Sequence, residues 1–272
     1  KWRAAWPEWP LAQVFVPEAQ RAVAEAWLAL QLEWVEAAWG GEDPTPGFAK
    51  LAWWQDELRG WQKGARRHPL GRVLQRAPAP WAALADALGA LRAARAPVLR
   101  GELEAATAAV SPAAAAIAGC EPALFAEVSA VAGGADGRDP RRGPAPAAAQ
   151  SLAGWSLVAQ HRLWHGAGEV SADARRVREG LSAAWPGARN GSRAARIHAA
   201  LIRARLQRSS PGAGPAAPVS PPRALWVAWR AARGGVPAAP GAGIARPMNR
   251  RDLRTLRWCK GICSSRSGCR SS

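Results

Sequence analysis

The sequence predicts an all-α protein, a bundle of about eight to ten helices, on three observations. Apolar residues recur at helical spacing in one segment after another. Proline and glycine, with small polar residues beside them, mark where each segment starts and stops. A chain of 272 residues with 49% apolar content also has ample material for a buried core.

After a Trp-rich lead-in, KWRAAWPEWP, the first long helix is expected from Pro17 to Trp39, stopped by Gly40-Gly41. Its stripe of Ala19, Val23, Ala26, Leu30 and Trp34 faces a core, which leaves Glu33 and Glu36 as acids on the solvent side. The second helix runs from Thr45 to Gly64: Thr45 caps it, Pro46 takes the first helical position and Gly64 ends it. Phe48, Leu51, Ala52, Leu58 and Trp61 form its apolar stripe, and Trp53 and Trp54 widen it. Lys50, Gln55, Asp56, Glu57 and Arg59 fall mostly on the other sides, and a basic turn, Arg66-Arg67-His68-Pro69, follows.

A third helix from Pro80 to Arg95 turns Trp81, Leu84, Leu88 and Leu91 to one face and stops near Pro97. Ala-rich helices are expected at Val98 to Val110 and at Pro112 to Ala132, with Pro112 and Pro122 as starts or kinks. Residues 133–147 have linker composition. Beyond them, helices are expected at Ala148 to His165, Ala172 to Trp185, Ser192 to Gln207 and Pro222 to Arg233, with Ser171 capping the second of these. Trp155, Val158 and Leu163, then Ile197, Leu201 and Leu206, supply apolar faces. Residues 1–233 thus form the helical domain, and 234–272 a Pro/Gly-rich, then basic, tail of disordered composition.

Sixteen Trp against three Phe and no Tyr, amid abundant Ala, Arg, Gly and Pro, is the output of a GC-rich coding sequence. Charge is lopsided: residues 1–136 hold 13 basic and 15 acidic side chains, net −2, whereas 137–272 hold 24 and 5, net +19. Such a half would attract anionic lipid, diphosphate or nucleic acid, or it is Arg spread over solvated helix faces. Nucleic acid has only this charge behind it, with no recognisable module. Four cysteines do not make a disulfide framework for a chain of this size, so a reducing cytoplasm fits. Cys259, Cys263 and Cys269 have no His among them for a zinc site. Charged residues and prolines interrupt every apolar run before it reaches bilayer-spanning length. The chain opens at Lys1 without Met or a signal-like stretch, as a sequence truncated at its start would. It contains no Gly-rich phosphate loop, HExxH, GxSxG or CxxC.

The stretch AKLAWWQDELRGWQKGARRHPLGRVL, from Ala49 to Leu74, resembles the squalene/phytoene synthase family, whose members read L-x-WW, then Gly, then His-Pro and a further apolar helix. The similarity extends from Trp2 to about Gly234 through VFVPEAQRAVAEAWLAL, AAWGGEDPTPG, RIHAALIRARL and RALWVAWRAAR, and points to a proteobacterial branch of that family. The resemblance implies an isoprenoid-synthase-like helical fold. It also implies head-to-head joining of isoprenoid diphosphates by two facing aspartate-rich motifs that hold Mg2+.

Where the first motif belongs, this chain reads LQLEWVEAAWG, with only Glu33 and Glu36 as acids. For the second, the nearest pair is Glu169 and Asp173; the glycines around Glu169 put it in a turn, and Asp173 then stands in the first turn of a helix. Arg66, Arg67 and His68 are the candidates for gripping a diphosphate, and His68 for a general base, although no carboxylate adjoins it in sequence. A metal and diphosphate site without its carboxylates loses the charge that binds the metal. The expectation is therefore a family member that binds lipid or protein without catalysis, cytoplasmic and peripheral to the inner membrane, with no cofactor. Were it instead an active prenyltransferase, Mg2+ would be required.

Overall fold

The computed structural model describes residues 1–125, 146–165, 172–183, 185–186, 191–208 and 216–234, and among them it is all helix and turn, with no strand. All of these residues belong to one unit, Lys1–Pro237. Two short helices, α1 (Trp2–Ala5) and α2 (Trp9–Ala12), and a 3-10 turn at Gln13–Phe15 lead into α3 (Glu18–Trp39). The all-α expectation holds, and α3 takes nearly its expected bounds. Its burial does not follow the expected single stripe: Ala26, Leu30 and Trp34 are buried, but so are Ala24, Trp27, Leu28, Gln31, Leu32, Val35 and Ala38, and Ala19 is exposed. Its buried positions spread beyond one stripe because α3 touches helices from both halves of the chain.

Helix α4 (Thr45–Gln62) begins one residue away from the expected cap. Thr45 is its first residue, and the Thr45 N–H donates to Asp43 Oδ1 at 2.9 Å, so the acid two positions back supplies the capping oxygen. Ala52 is exposed rather than part of the apolar stripe, and Glu57, expected on a solvent side, is buried. After α5 (Gly71–Leu74), the single expected third helix is divided into α6 (Trp81–Ala87) and α7 (Gly89–Ala93), with α8 (Arg95–Arg100) following. Hydrogen bonds tighten to three-residue spacing at Leu88 and Leu91, which rotates the chain enough to keep Trp81, Leu84, Leu88 and Leu91 all buried.

Pro97 does not stop α8. It sits in the first turn, where a missing N–H costs nothing, and the helix ends instead at Gly101, in the left-handed region with φ 76°. Nor does Pro112 start a new helix: α9 (Leu103–Leu124) runs through it. An interior proline costs about 3 kcal/mol, and here it is offset by a continuous packed face of Ala106, Val110, Ala113, Ala114, Ile117, Cys120 and Leu124. By length and composition alone α9 is apolar enough to cross a bilayer, against expectation, because alanine fills it. It carries Glu121 on its packed face.

The remaining helices are α10 (Pro146–His165), α11 (Ala172–Ala183), α12 (Arg193–Arg208) and α13 (Pro221–Ala232). Helix α9 packs along α10, α12 along α13, and α10 bridges to both α3 and α12. Of the linker expected at 133–147, residues 133–145 lie outside the described residues and 146–147 open α10. The Ser171 cap and the tail beyond Gly234 also lie outside them.

Tryptophan fills the N-terminal half. Trp34, Trp27, Trp81, Trp61 and Trp54 form a chain of edge-to-face indoles across α3, α6 and α4, with centroids 5.1 to 6.5 Å apart. The N-terminal segment is tied to α12 by Glu8 and Arg205, both under 4% exposed. Glu8 Oε1 accepts from Arg205 Nε at 2.8 Å and from the Val219 N–H at 2.7 Å, while the guanidinium lies 4.1 Å from the Trp6 ring centroid.

Candidate functional site

Glu33 and Glu36 stand one turn apart on α3, each half-buried, and lysines occupy the space in front of them. Lys1 Nζ lies 3.3 Å from Glu33 and also pairs with Glu36, while Lys50, reaching over from α4, donates to the other Glu33 oxygen. Burial pushes the Glu33 carboxyl up, but the bonds and charges of Lys50 and then Lys1 outweigh it and hold the group below its ordinary range. The acids are therefore not the plain solvent-facing pair expected from the sequence. Their charge is matched by ammonium groups, and a metal ion would have to displace both lysines to reach them.

The basic turn is organised by a residue that sequence reasoning assigned to the surface. Glu57, 1% exposed, accepts from Trp61 Nε1 at 2.8 Å, from the Arg67 and His68 N–H groups at 2.7 and 2.8 Å, and from Arg67 Nε at 3.0 Å. Burial would raise its pKa. The His68 and Arg67 backbone donors, then Trp61 and the Arg67 side chain, reverse the sign and hold it ionised. The carboxylate missing from His68's sequence neighbourhood is thus supplied from α4, eleven residues earlier, but it meets the His68 backbone rather than its ring.

The His68 ring lies 4.7 Å from Trp54 and 6.0 Å from Trp53, and Arg67 stacks over Trp53 at 5.3 Å. His68 Nδ1 accepts from the Leu70 N–H at 3.2 Å, which leaves the proton on Nε2. Burial lowers the His68 pKa against the opposing pull of Glu33 and Glu57. A general base would have to surrender the Leu70 bond to take a proton at Nδ1, so the geometry assigns His68 to the turn. Arg66 is exposed and donates to Gln75 Oε1 at 3.0 Å. The Trp-Trp and His-Pro elements meet in space as one lock, with Glu57 as its bolt.

Of the second acid pair, Glu169 lies outside the described residues. Asp173 falls in the first turn of α11, and its side chain is likewise not described. Among the described residues no three His, Cys, Asp or Glu side chains are grouped as metal ligands.

A different constellation lies between the two halves of the helical unit. Leu28 and Gln31 of α3, Ile117 and Glu121 of α9, Ala149, Leu152, Ala153 and Ser156 of α10, with Gly191, Ala195 and His198, enclose a recess of about 320 Å³ out to its open mouth. It narrows to room for about one water molecule. Glu121 Oε2 accepts from the Ser192 N–H at 2.6 Å; Gly191, at φ 85°, makes the turn that presents that donor, and a side chain there would be strained. Burial raises the Glu121 pKa, and Ser192, Trp27 and Arg196 reverse it only in part.

His198 is 2% exposed, 4.5 Å from the Trp6 ring, and its Nε2 has no hydrogen-bond partner among the described residues. Burial, assisted by the nearby Arg205 charge, lowers its pKa to about 3, so it is neutral. One turn along α10 from Ser156, Gln160 is fully buried with neither end of its amide partnered among the described residues. Sequence reading passed over these groups, although Glu121 was discoverable as the one acid placed in phase with Ile117 and Ala114 on an alanine helix. The recess sets one carboxyl, Glu121, and one imidazole, His198, on largely apolar walls, unlike the cavity lined by several acids that a diphosphate and its metals require.

No family model, no curated protein and no solved structure matches this chain.

Proposed function

We propose that this chain is a non-catalytic helical binding protein. On this reading it keeps the packing signature of the squalene/phytoene synthase family in its Trp-Trp and His-Pro lock, without that family's metal-assisted chemistry. One observation carries the reading: Glu33 and Glu36, where the first metal-binding motif would stand, are neutralised by Lys1 and Lys50. The indole chain across α3, α6 and α4 supports it, because tryptophan side chains pack against one another between these helices. Binding of a lipid or a protein, at the cytoplasmic side of a membrane, is what such a scaffold retains.

The test is Mg2+-dependent turnover of farnesyl and geranylgeranyl diphosphate by the full chain, alongside Glu33→Ala/Glu36→Ala and Lys50→Ala. The expected outcome is no product from any of the three, and no change in melting temperature when Mg2+ is added. Product that disappears in the double substitution would replace this reading with an active head-to-head prenyltransferase. Product that rises in Lys50→Ala would show that the lysine masks a working metal site.

A further inference from the structure

We propose that the face formed by α13, α2 and the adjoining 3-10 turn docks on an anionic lipid bilayer. This builds on the binding reading above and names its partner. Five large apolar side chains are exposed among the described residues, and three of them, Leu11, Val14 and Trp226, belong to these mutually packed elements. Helix α13 buries Ala224, Val227, Ala228 and Ala231 against the bundle and turns Trp226 outward at 46% exposed. Arg223 and Arg233 are exposed as well. The Arg230 guanidinium stacks on Trp226 at 4.8 Å and that of Arg233 on Trp229 at 4.7 Å, so each indole is held beside a cation.

An exposed Trp flanked by aliphatic side chains and rimmed by Arg is the chemistry of the bilayer interface: the indole and alkyl groups enter the headgroup boundary while guanidinium groups meet lipid phosphates. Charge is complementary over a wider area, because no Asp or Glu occurs from Gly180 to Arg251. The chain beyond Gly234 is a poor occupant for this face. Residues 235–272 carry eight Lys and Arg against one Asp, and a basic segment is repelled by a basic face but attracted to the same anionic surface. Single-stranded nucleic acid fits less well, since it calls for several exposed aromatic rings along a groove, whereas Trp226 is the only large aromatic among the five exposed apolar side chains.

The experiment is co-sedimentation of the full chain with phosphatidylcholine vesicles, with and without phosphatidylglycerol, at two salt concentrations. The wild type should bind only the anionic vesicles, and more weakly in high salt. Arg223→Gln/Arg230→Gln should lower affinity about thirtyfold, at the usual contribution per basic residue. Trp226→Ser/Leu11→Ser should lower it about tenfold or more, through lost apolar burial. All four positions are at the surface, so circular dichroism should match the wild type. Equal binding to both vesicle types, undiminished binding by the two variants, or displacement of the chain from anionic vesicles by single-stranded RNA would each overturn the docking face. Diphosphate turnover would overturn the non-catalytic reading and leave this face standing, so the two failures are distinguishable.

Discussion

Glu57 on α4 and Glu121 on α9 are both shielded from solvent, 1% and 8% exposed, but Glu121 lies deeper among protein atoms, and their acidities move in opposite directions. Desolvation is the largest influence on both. Glu57 collects two backbone N–H groups, an indole N–H and a guanidinium, which favour the ionised form more than burial disfavours it. Glu121 has the Ser192 N–H at close range and weaker help from the Ser192 hydroxyl, Trp27 and Arg196, and burial prevails. Depth of burial and the donors aimed at an acid together set the direction in which its acidity moves. The lock around Glu57 is saturated and holds the fold; the recess beside Glu121 and His198 is unsaturated.

The contrast is broken most directly at Glu57. Glu57→Ala strands the Arg67 and His68 N–H groups and the Trp61 indole N–H, and should cost about 3 kcal/mol in urea unfolding, the scale of buried donors left unpaired. Glu57→Gln keeps the shape and part of the bonding, and about 2 kcal/mol is expected. A cost below about 1 kcal/mol for the alanine variant would mean that the Trp-Trp and His-Pro elements hold together by ring packing alone.

A middle-sized effect belongs to His198. Its pKa of about 3 in the folded protein lies below the ordinary 6.5, so the unfolded chain binds the extra proton first. The contribution of this residue is intact above about pH 6.5 and is lost as pH falls toward 3, at about 1.4 kcal/mol per pH unit. The groups facing His198 work with this: Arg205 repels an imidazolium, and Glu121, held toward its neutral form, offers little counter-charge. Between pH 7.5 and 5 the wild type should lose about 2 kcal/mol by this route. His198→Phe should flatten that slope, and an unchanged slope would show that the ring is solvated in the native state.

Much of the fold was legible in the residues, because helical periodicity and Gly stops are local signals. Trp81, Leu84, Leu88 and Leu91 were placed on one buried face, and α3, α4, α10, α12 and α13 were found to within a few residues. The place of Pro112 inside a helix is not legible locally, because packing along α10, a contact between segments far apart in sequence, outweighs a proline's local cost. The site was less legible for the same reason. Glu57 looks like any charge on an amphipathic helix until the turn at Arg67 and His68 folds back on it. The lysine that neutralises Glu33 comes from another helix, seventeen residues on. Glu8 and Arg205, 197 residues apart, carried no sequence signal of their partnership at all.

The smallest effect is the sharpest test of the comparison. Glu121→Gln changes one atom of the side chain, keeps an oxygen for the Ser192 N–H and removes the ability to ionise. Below the ordinary carboxyl value of 4.5, where both the folded and the unfolded side chain carry the proton, the substitution should change stability by less than about 1 kcal/mol, the scale of one neutral hydrogen bond. The sign then turns with pH. A carboxyl whose folded pKa is raised contributes stability at low pH and loses it as pH rises through that folded value. The glutamine variant has no such loss, so the difference in unfolding free energy should move in its favour as pH rises above the ordinary carboxyl value of 4.5. At Glu57 the same Glu→Gln change should cost stability throughout that range. Parallel behaviour of the two variants would mean that the two carboxyls titrate alike in the folded protein.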